Sequence, residues 1–299
     1  MNGIIVLDKP GGMTSHDVVD SIRRIVKNRR VGHAGTLDPN ATGILIMLVG
    51  KATKVSRFMM GLEKEYVFTI QLGLETDTLD RWGKTLKTRS ADGVSRDDIL
   101  NAASRFVGEY EQAAPSVSAL KHKGVRLYEL ARRGGPVPVK TRPVKVDTFE
   151  VTEIAHPFVT IRTVCSSGTY VRSLARDMGH LLGCGGCVSS LRRLRVGDFG
   201  IEGAVRLEDL EHASDDPEGV REVLLSIEQG LIHLPRIRIG PDAASALRTG
   251  GQTPEDGISA SELDFEGKYV AITDGSGRII AIARRSDEPG RRLRTERIL

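Results

Sequence analysis

Asp38 is the single acid of the loop Gly32-His33-Ala34-Gly35-Thr36-Leu37-Asp38-Pro39-Asn40-Ala41-Thr42-Gly43. The loop lies between a basic helix tip and an apolar strand. Three glycines and a proline give it a shape suited to presenting one carboxylate, and Pro39 biases Asp38 toward extended geometry. A carboxylate held that way can serve as nucleophile or base. By residue type alone it also fits an aspartate that caps a turn. Arg172 is the second unusual residue, because it falls in the first turn of the helix expected from Tyr170 to Leu182. The macrodipole disfavours a cation there by roughly 0.3 to 1 kcal/mol. A compensating anion is expected, either a carboxylate from another segment or an RNA phosphate, and a carboxylate so paired stays ionised. A solvated arginine is the alternative.

Other chemistries lack their residues. Gly43 and Gly50-Lys51 have six residues between the glycines and Ala52 after the lysine, so they do not make a phosphate loop. No HExxH, GxSxG or GxGxxG occurs. Cys184-Gly-Gly-Cys187 has the spacing of zinc and redox sites, but no second CxxC or clustered histidine pair accompanies it. It reads as a structural glycine turn, with metal or redox chemistry as the alternative.

The elements that would position Asp38 and Arg172 follow from periodicity. Ile4 to Leu7 is a short apolar strand ending at a Pro-Gly-Gly turn. Thr14 and Asp17 cap a helix carrying Val18, Val19, Ile22, Ile25 and Val26, which ends in the basic tip Lys27-Asn28-Arg29-Arg30. The loop of Asp38 follows, then the strand Ile44 to Val49 and a basic helix from Lys51 to Met59. Tyr66, Phe68, Ile70 and Leu72 alternate on one strand face. Ser95 and Asp98 cap a helix to about Phe106. Residues 113 to 142 form a basic, Gly- and Pro-punctuated excursion around a helix expected from Val125 to Arg133. Val144 to Val151 and Phe158 to Cys165 are neighbouring strands, and short acidic helices run to Gly230. From about residue 233 the pattern returns to β, with strands at Ile237 to Ile239, Lys268 to Thr273 and Arg278 to Ala283 and a helix at Asp242 to Arg248.

Net charge is +4, but it is unevenly distributed. Residues 1–197 hold 30 basic and 19 acidic side chains, residues 198–230 hold 2 and 10, and residues 231–299 hold 11 and 10. Arginine supplies 31 of the 43 basic residues, which favours an anionic partner of the phosphate kind, nucleic acid ahead of membrane. The longest apolar run, Ile44 to Val49, falls far short of the roughly 20 residues a membrane span needs. Three cysteines cannot build a disulfide framework, and Met1 to Leu7 has no basic n-region. A cytoplasmic location is expected.

Taken in order, Leu7-Asp8-Lys9-Pro10 with Thr14-Ser15-His16, GHAGTLDPNATG, Lys64-Glu65-Tyr66 with LGLETDTLDRWG, SSGTYVRSLARDMG and LRRL resemble the successive motifs of the TruB family of tRNA pseudouridine-55 synthases. The resemblance spans nearly the whole chain. It implies an α+β fold: a catalytic core on a mixed, mainly antiparallel sheet flanked by helices (residues 1–232), a thumb-like RNA-binding insertion at 113–142, and a small PUA-like β-barrel at 233–299. It also implies an isomerase that converts uridine 55 of the TΨC loop to pseudouridine without metal, nucleotide or redox cofactor. Asp38 matches the catalytic aspartate, Tyr66 the tyrosine that stacks on the target base, and Arg172 the arginine paired with the carboxylate. His33 falls on a histidine that contacts the T loop, Asp80 on an acid implicated in substrate engagement, and Leu191 on a leucine bordering the pocket. Lys9 matches a supporting lysine, and Tyr170 would line the pocket. Cys187 departs from the histidine expected in the LGCG turn.

The expected partner is the T arm of tRNA, bound by a monomer that needs no obligatory protein partner and no membrane. With aromatic residues at 4%, recognition should lean on phosphate, 2′-hydroxyl and RNA shape. The competing readings are an RNA-guided pseudouridine synthase of the H/ACA type, against which the thumb-like insertion argues, and a non-catalytic RNA chaperone. A tRNA-folding role beside catalysis is also compatible with the basic body.

Overall fold

The computed structural model describes residues 1–115, 121–122, 125–126, 140–251, 258, 264–265, 267–286 and 293–299. The first strand, β1 (Gly3–Lys9), leads into α1 (Ser15–Ile25), whose start is set by the expected capping box between Thr14 and Asp17. β2 (Val31–His33) and β3 (Thr42–Val49) bracket the glycine loop. Gly32 and His33 are therefore strand rather than loop, because the Val31 to His33 backbone pairs with Met47 to Val49. The basic segment after β3 is a 3-10 turn, Gly50–Val55, that runs into α2 (Ser56–Met60). It is tighter than the single helix expected, and the Thr53 hydroxyl donates back to the Gly50 carbonyl at 2.8 Å.

β4 (Lys64–Leu72) is followed by a small ribbon, β5 (Leu74–Thr76) and β6 (Thr85–Thr88), then by α3 (Arg96–Ala103) and β7 (Gly108–Ala113). β8 (Lys121–His122) pairs with β9 (Val125–Arg126). Val125 and Arg126 are thus strand where a helix was expected, in keeping with the strand preference of a β-branched residue. The rest of that expected helix, and most of the 113–142 insertion, lie outside the described residues. β10 (Thr141–Ala155) and β11 (Phe158–Cys165) form the expected antiparallel pair, followed by α4 (Val171–Leu181). β12 (Gly186–Val196), β13 (Phe199–Gly200) and β14 (Val205–Arg206) precede three short helices, α5 (Leu207–His212), α6 (Pro217–Glu222) and α7 (Ile227–Gly230).

Ten of these strands make one mixed sheet, ordered β14-β1-β3-β12-β4-β11-β10-β7, with β2 on β3 and β13 on β12. It is mainly antiparallel. Only β1 with β14 and β3 with β12 run parallel. The β3–β12 contact is brief, joining Thr42 and Gly43 to Arg192 and Arg193, and the site lies at this junction. A Cβ on Gly43 would stand 2.1 Å from the Arg193 carbonyl oxygen, and its φ is +99°, so only glycine lets the strands meet here.

Both faces of β1 and β3 are covered. Ile5, Leu7, Leu45 and Met47 pack under α1, whereas Ile4, Ile44, Ile46 and Leu48 meet Phe58 and Met59 of α2. In the other half, Phe68, Ile70, Val159, Ile161 and Phe149 bury against Leu174 and Met178 of α4 and Ile99 of α3. The C-terminal segment supplies β15 (Arg236–Arg238), α8 (Pro241–Arg248), β16 (Tyr269–Thr273), β17 (Ile279–Arg285) and β18 (Leu293–Ile298). Its four strands form a separate sheet in that order. This sheet has its own core, which includes Ile237, Leu247, Val270 and Ile280. It also docks on the body: Ala271 and Ile282 join the cluster around Ile4 and Phe58, and Phe58 meets Tyr269 edge to face at 4.9 Å.

Candidate active site

The glycine loop is held from below by buried polar groups. Lys9 is fully buried at the end of β1, and its Nζ donates to the carbonyls of Pro10 (2.6 Å), Met13 (2.8 Å) and Pro39 (2.9 Å). Burial pushes its pKa down to about 8, with the Asp38 carboxylate opposing that shift. The Ser15 hydroxyl donates to the Leu37 carbonyl at 3.0 Å and accepts from the Leu37 amide at 2.9 Å. Arg193 is also buried. Its Nε donates to the Ile44 carbonyl at 2.7 Å, and its Nη1 and Nη2 approach the carbonyls of Thr36 (3.5 Å) and Gly35 (3.3 Å). Both residues flanking the carboxylate are therefore anchored before any ligand arrives.

Asp38 is the partner that Arg172 required. Arg172 Nε lies 2.9 Å from Oδ2 and Nη2 lies 3.2 Å from Oδ1, a fork on a carboxylate, while Nη1 donates to the Thr78 carbonyl at 2.8 Å. The Arg172 side chain is 9% exposed and that of Asp38 is 38% exposed. The arginine is thus a buried clamp, and the carboxylate it holds stays open to a ligand.

That opening is a cleft of about 330 Å³, at the lower end of the roughly 300–1,000 Å³ typical of small-ligand sites. Asp38, Tyr66, Tyr170, Arg172 and Leu191 all line it. Tyr66 on β4 sits opposite Arg193 in the β4–β12 register and is buried. Burial raises its phenol pKa, with Arg193 beside it acting in the opposite direction, so the ring enters the cleft as a neutral donor. Tyr170 precedes α4. Its amide donates to Gln112 Oε1 at 2.7 Å, and the Arg142 guanidinium lies 4.8 Å from its ring centroid. Lys9 supports the loop without lining the cleft. Asp80 stands in an adjoining small recess shared with Asp38, Arg172 and Leu191, where its Oδ1 accepts from the Thr78 hydroxyl (2.8 Å) and the Trp82 amide (3.1 Å). His33 is not among the residues lining the cleft. It sits in β2 with Nδ1 buried and unpartnered, and burial lowers its pKa, keeping the imidazole neutral.

Four contributors were not singled out from the sequence: Arg193, Lys64, Gln112 and Arg142. Lys64 was visible only as part of the Lys-Glu-Tyr motif. Its Nζ donates to the carbonyls of Met60 and Leu62 at the rim, and burial pushes its pKa down to about 8. Arg193 lies inside the LRRL motif, where Arg192 beside it and Arg195 just after it hide which arginine turns inward. Cys184 lies in the glycine turn between α4 and β12, whereas Cys187 is already in β12, where burial raises its thiol to about 11. Among the described residues no cluster of His, Cys, Asp and Glu could hold a metal ion. None of their helices is long and apolar enough to cross a membrane.

Comparison with known proteins identifies the family. Residues 23–171 match the model of the TruB family pseudouridylate synthase N-terminal domain, and residues 172–232 match the tRNA pseudouridylate synthase B C-terminal domain. A tRNA pseudouridine synthase B of Syntrophotalea carbinolica is 40% identical, over 95% of this chain and 92% of that protein. Its counterpart in Mycobacterium leprae is 43% identical, over 94% and 87%. Among solved structures, a chain of a Cbf5-Nop10-Gar1 complex superposes with a TM-score of 0.77 at 29% identity, covering 99% of this chain and 84% of its own. By these matches over nearly its whole length, the chain belongs to the TruB family.

Proposed function

We infer that the chain isomerises uridine to pseudouridine in tRNA, at position 55 of the TΨC loop. The observation that carries this reading is the Arg172–Asp38 fork opening onto a cleft lined by Tyr66 and Leu191. Breaking the N-glycosidic bond, rotating the uracil and rejoining it through carbon 5 conserves all atoms, so no cosubstrate is needed. Asp38 acts at the ribose, by attack on the anomeric carbon or by removal of the neighbouring ribose proton. Tyr66 stacks on the base and Leu191 borders it, which keeps the freed uracil from water. The target must first be flipped out of the folded loop, at a cost of a few kcal/mol that stacking and pocket contacts offset.

Residues 1–232 form the catalytic unit in this reading, 113–142 a thumb that clamps the T arm, and 233–299 a PUA-like RNA-binding unit. His33 contacts the T loop and Asp80 helps engage the substrate. The protein works in the cytoplasm as a monomer, without a guide RNA or obligatory protein partner. The structural likeness to Cbf5 favours one second reading, an RNA-guided enzyme. Mapping pseudouridine on an unmodified tRNA transcript incubated with the purified protein alone separates the two. Modification at position 55 is expected. An unmodified position 55 removes the stand-alone reading, and turnover only with added guide and partner proteins supports the other.

A further inference from the structure

Trp82 is the only tryptophan of the chain, and its side chain is among the most exposed large apolar groups, at 53%. It is not a loose surface residue. Its amide donates to Asp80 Oδ1 at 3.1 Å, the neighbouring Arg81 amide donates to the Val188 carbonyl at 2.9 Å, and Val188 answers through its own amide to the Leu79 carbonyl at 3.0 Å. The turn is therefore stitched to β12, three residues before Leu191. Leu79 adopts φ +63°, an uncommon conformation for leucine that these bonds hold in place. Gly83 is packed so tightly that a Cβ there would stand 2.2 Å from the Thr78 hydroxyl. The fold thus fixes the backbone that carries the indole.

Trp82 borders the recess that it shares with Asp38, Asp80, Arg172 and Leu191. At about 30 Å³ that recess is small beside the cleft of about 330 Å³. The exposed surface of the ring is left for something outside it. Next to a cleft that receives one flipped base, the flat apolar group closest in reach is a neighbouring base of the same RNA. An exposed ring in a rigid turn also loses little conformational entropy when it stacks. We propose that Trp82 is a stacking platform for an RNA base adjacent to the flipped target, so that it adds affinity and loop specificity without touching the reacting atoms. The proposal rests on the RNA-modifying reading above.

The single tryptophan makes this directly testable. Unmodified tRNA transcript is titrated into the purified full-length protein while indole emission and filter retention are followed together. Emission is expected to be quenched in step with binding. Trp82→Phe should stay within about threefold of the parent affinity, and Trp82→Ala should bind about 5- to 150-fold more weakly. Abasic substitutions placed one at a time around the T loop then locate the partner, since the Trp82→Ala penalty should vanish for one non-target position. Binding without a change in emission overturns the platform, as does an alanine penalty equal on every abasic RNA. If the parent protein retains no RNA at all, the RNA-modifying reading itself fails, a result distinguishable from either of those.

Discussion

Opposite faces of β4, β11 and β12 employ arginine in contrasting ways. On the cleft side Arg193 is buried, with a guanidinium that donates to the carbonyls of Ile44, Gly35 and Thr36. On the other side Arg162 and Arg195 share the carboxylate of Glu65, and Arg195 also reaches Glu63, with the two arginine side chains 54% and 33% exposed. The Glu65 carboxylate is itself buried, but its two arginines are open to water and each can stand in for the other, so losing one costs little net stability. A buried cation bonded to carbonyls differs, because its removal leaves acceptors unsatisfied out of reach of water. The cleft face therefore invests its charge in fixing backbone around Asp38. The outer face shares one buried carboxylate between two water-exposed arginines.

Five substitutions sharpen or break this contrast. The largest effect is expected from Gly43→Ala, which places a methyl against the Arg193 carbonyl at a positive φ and forces β3 from β12. A loss of at least about 3 kcal/mol in urea unfolding is expected, with activity falling too. A wild-type midpoint would show that the junction is more compliant than its geometry implies. Arg193→Met should cost about 3 kcal/mol in the same assay, against under about 1 kcal/mol for Arg195→Met. Equal costs would erase the distinction between the faces.

Arg172→Lys keeps the charge but loses the fork, and should lower kcat on the order of 10²-fold while leaving the KM for tRNA within a few-fold. Equal changes in both would indicate a phosphate contact instead of a positioning clamp. The last test is a pH dependence. Burial lowers Lys64 in the folded state to about 8 from an ordinary 10.5, so the unfolded chain binds more protons between those values. Stability then rises with pH across that window as the desolvation cost is relieved. Lys9 is lowered across the same window, so Lys64→Met should remove about half of the rise, and an unchanged slope would mean that the Lys64 amine is solvated.

The caps at Thr14 and Ser95 and the alternation of β4, β10 and β11 were legible because each is a local signal, a side chain answering its own backbone or a period of two. A cation at a helix start called for an anion near Arg172 without naming it, and the TruB resemblance supplied Asp38 as that partner. β12 was not assigned from periodicity. Arg192, Arg193 and Arg195 interrupt its apolar alternation, and register shifts between Val188 and Ser190 and between Arg193 and Arg195 change which side chains face inward. Gln112, which accepts from the Tyr170 amide, is polar in a strand and gives no sign of burial until the fold closes. Such long-range contacts have no local periodicity.

The claim that Asp38 is the reacting carboxylate, and the surrounding cations only its frame, is tested most directly by Asp38→Asn in a single-turnover assay on unmodified tRNA transcript, with affinity measured in parallel. Asparagine keeps the shape and removes the charge. The expected result is no pseudouridine at position 55 with affinity within a few-fold of the parent. Retained turnover would contradict it and remove Asp38 from the reaction.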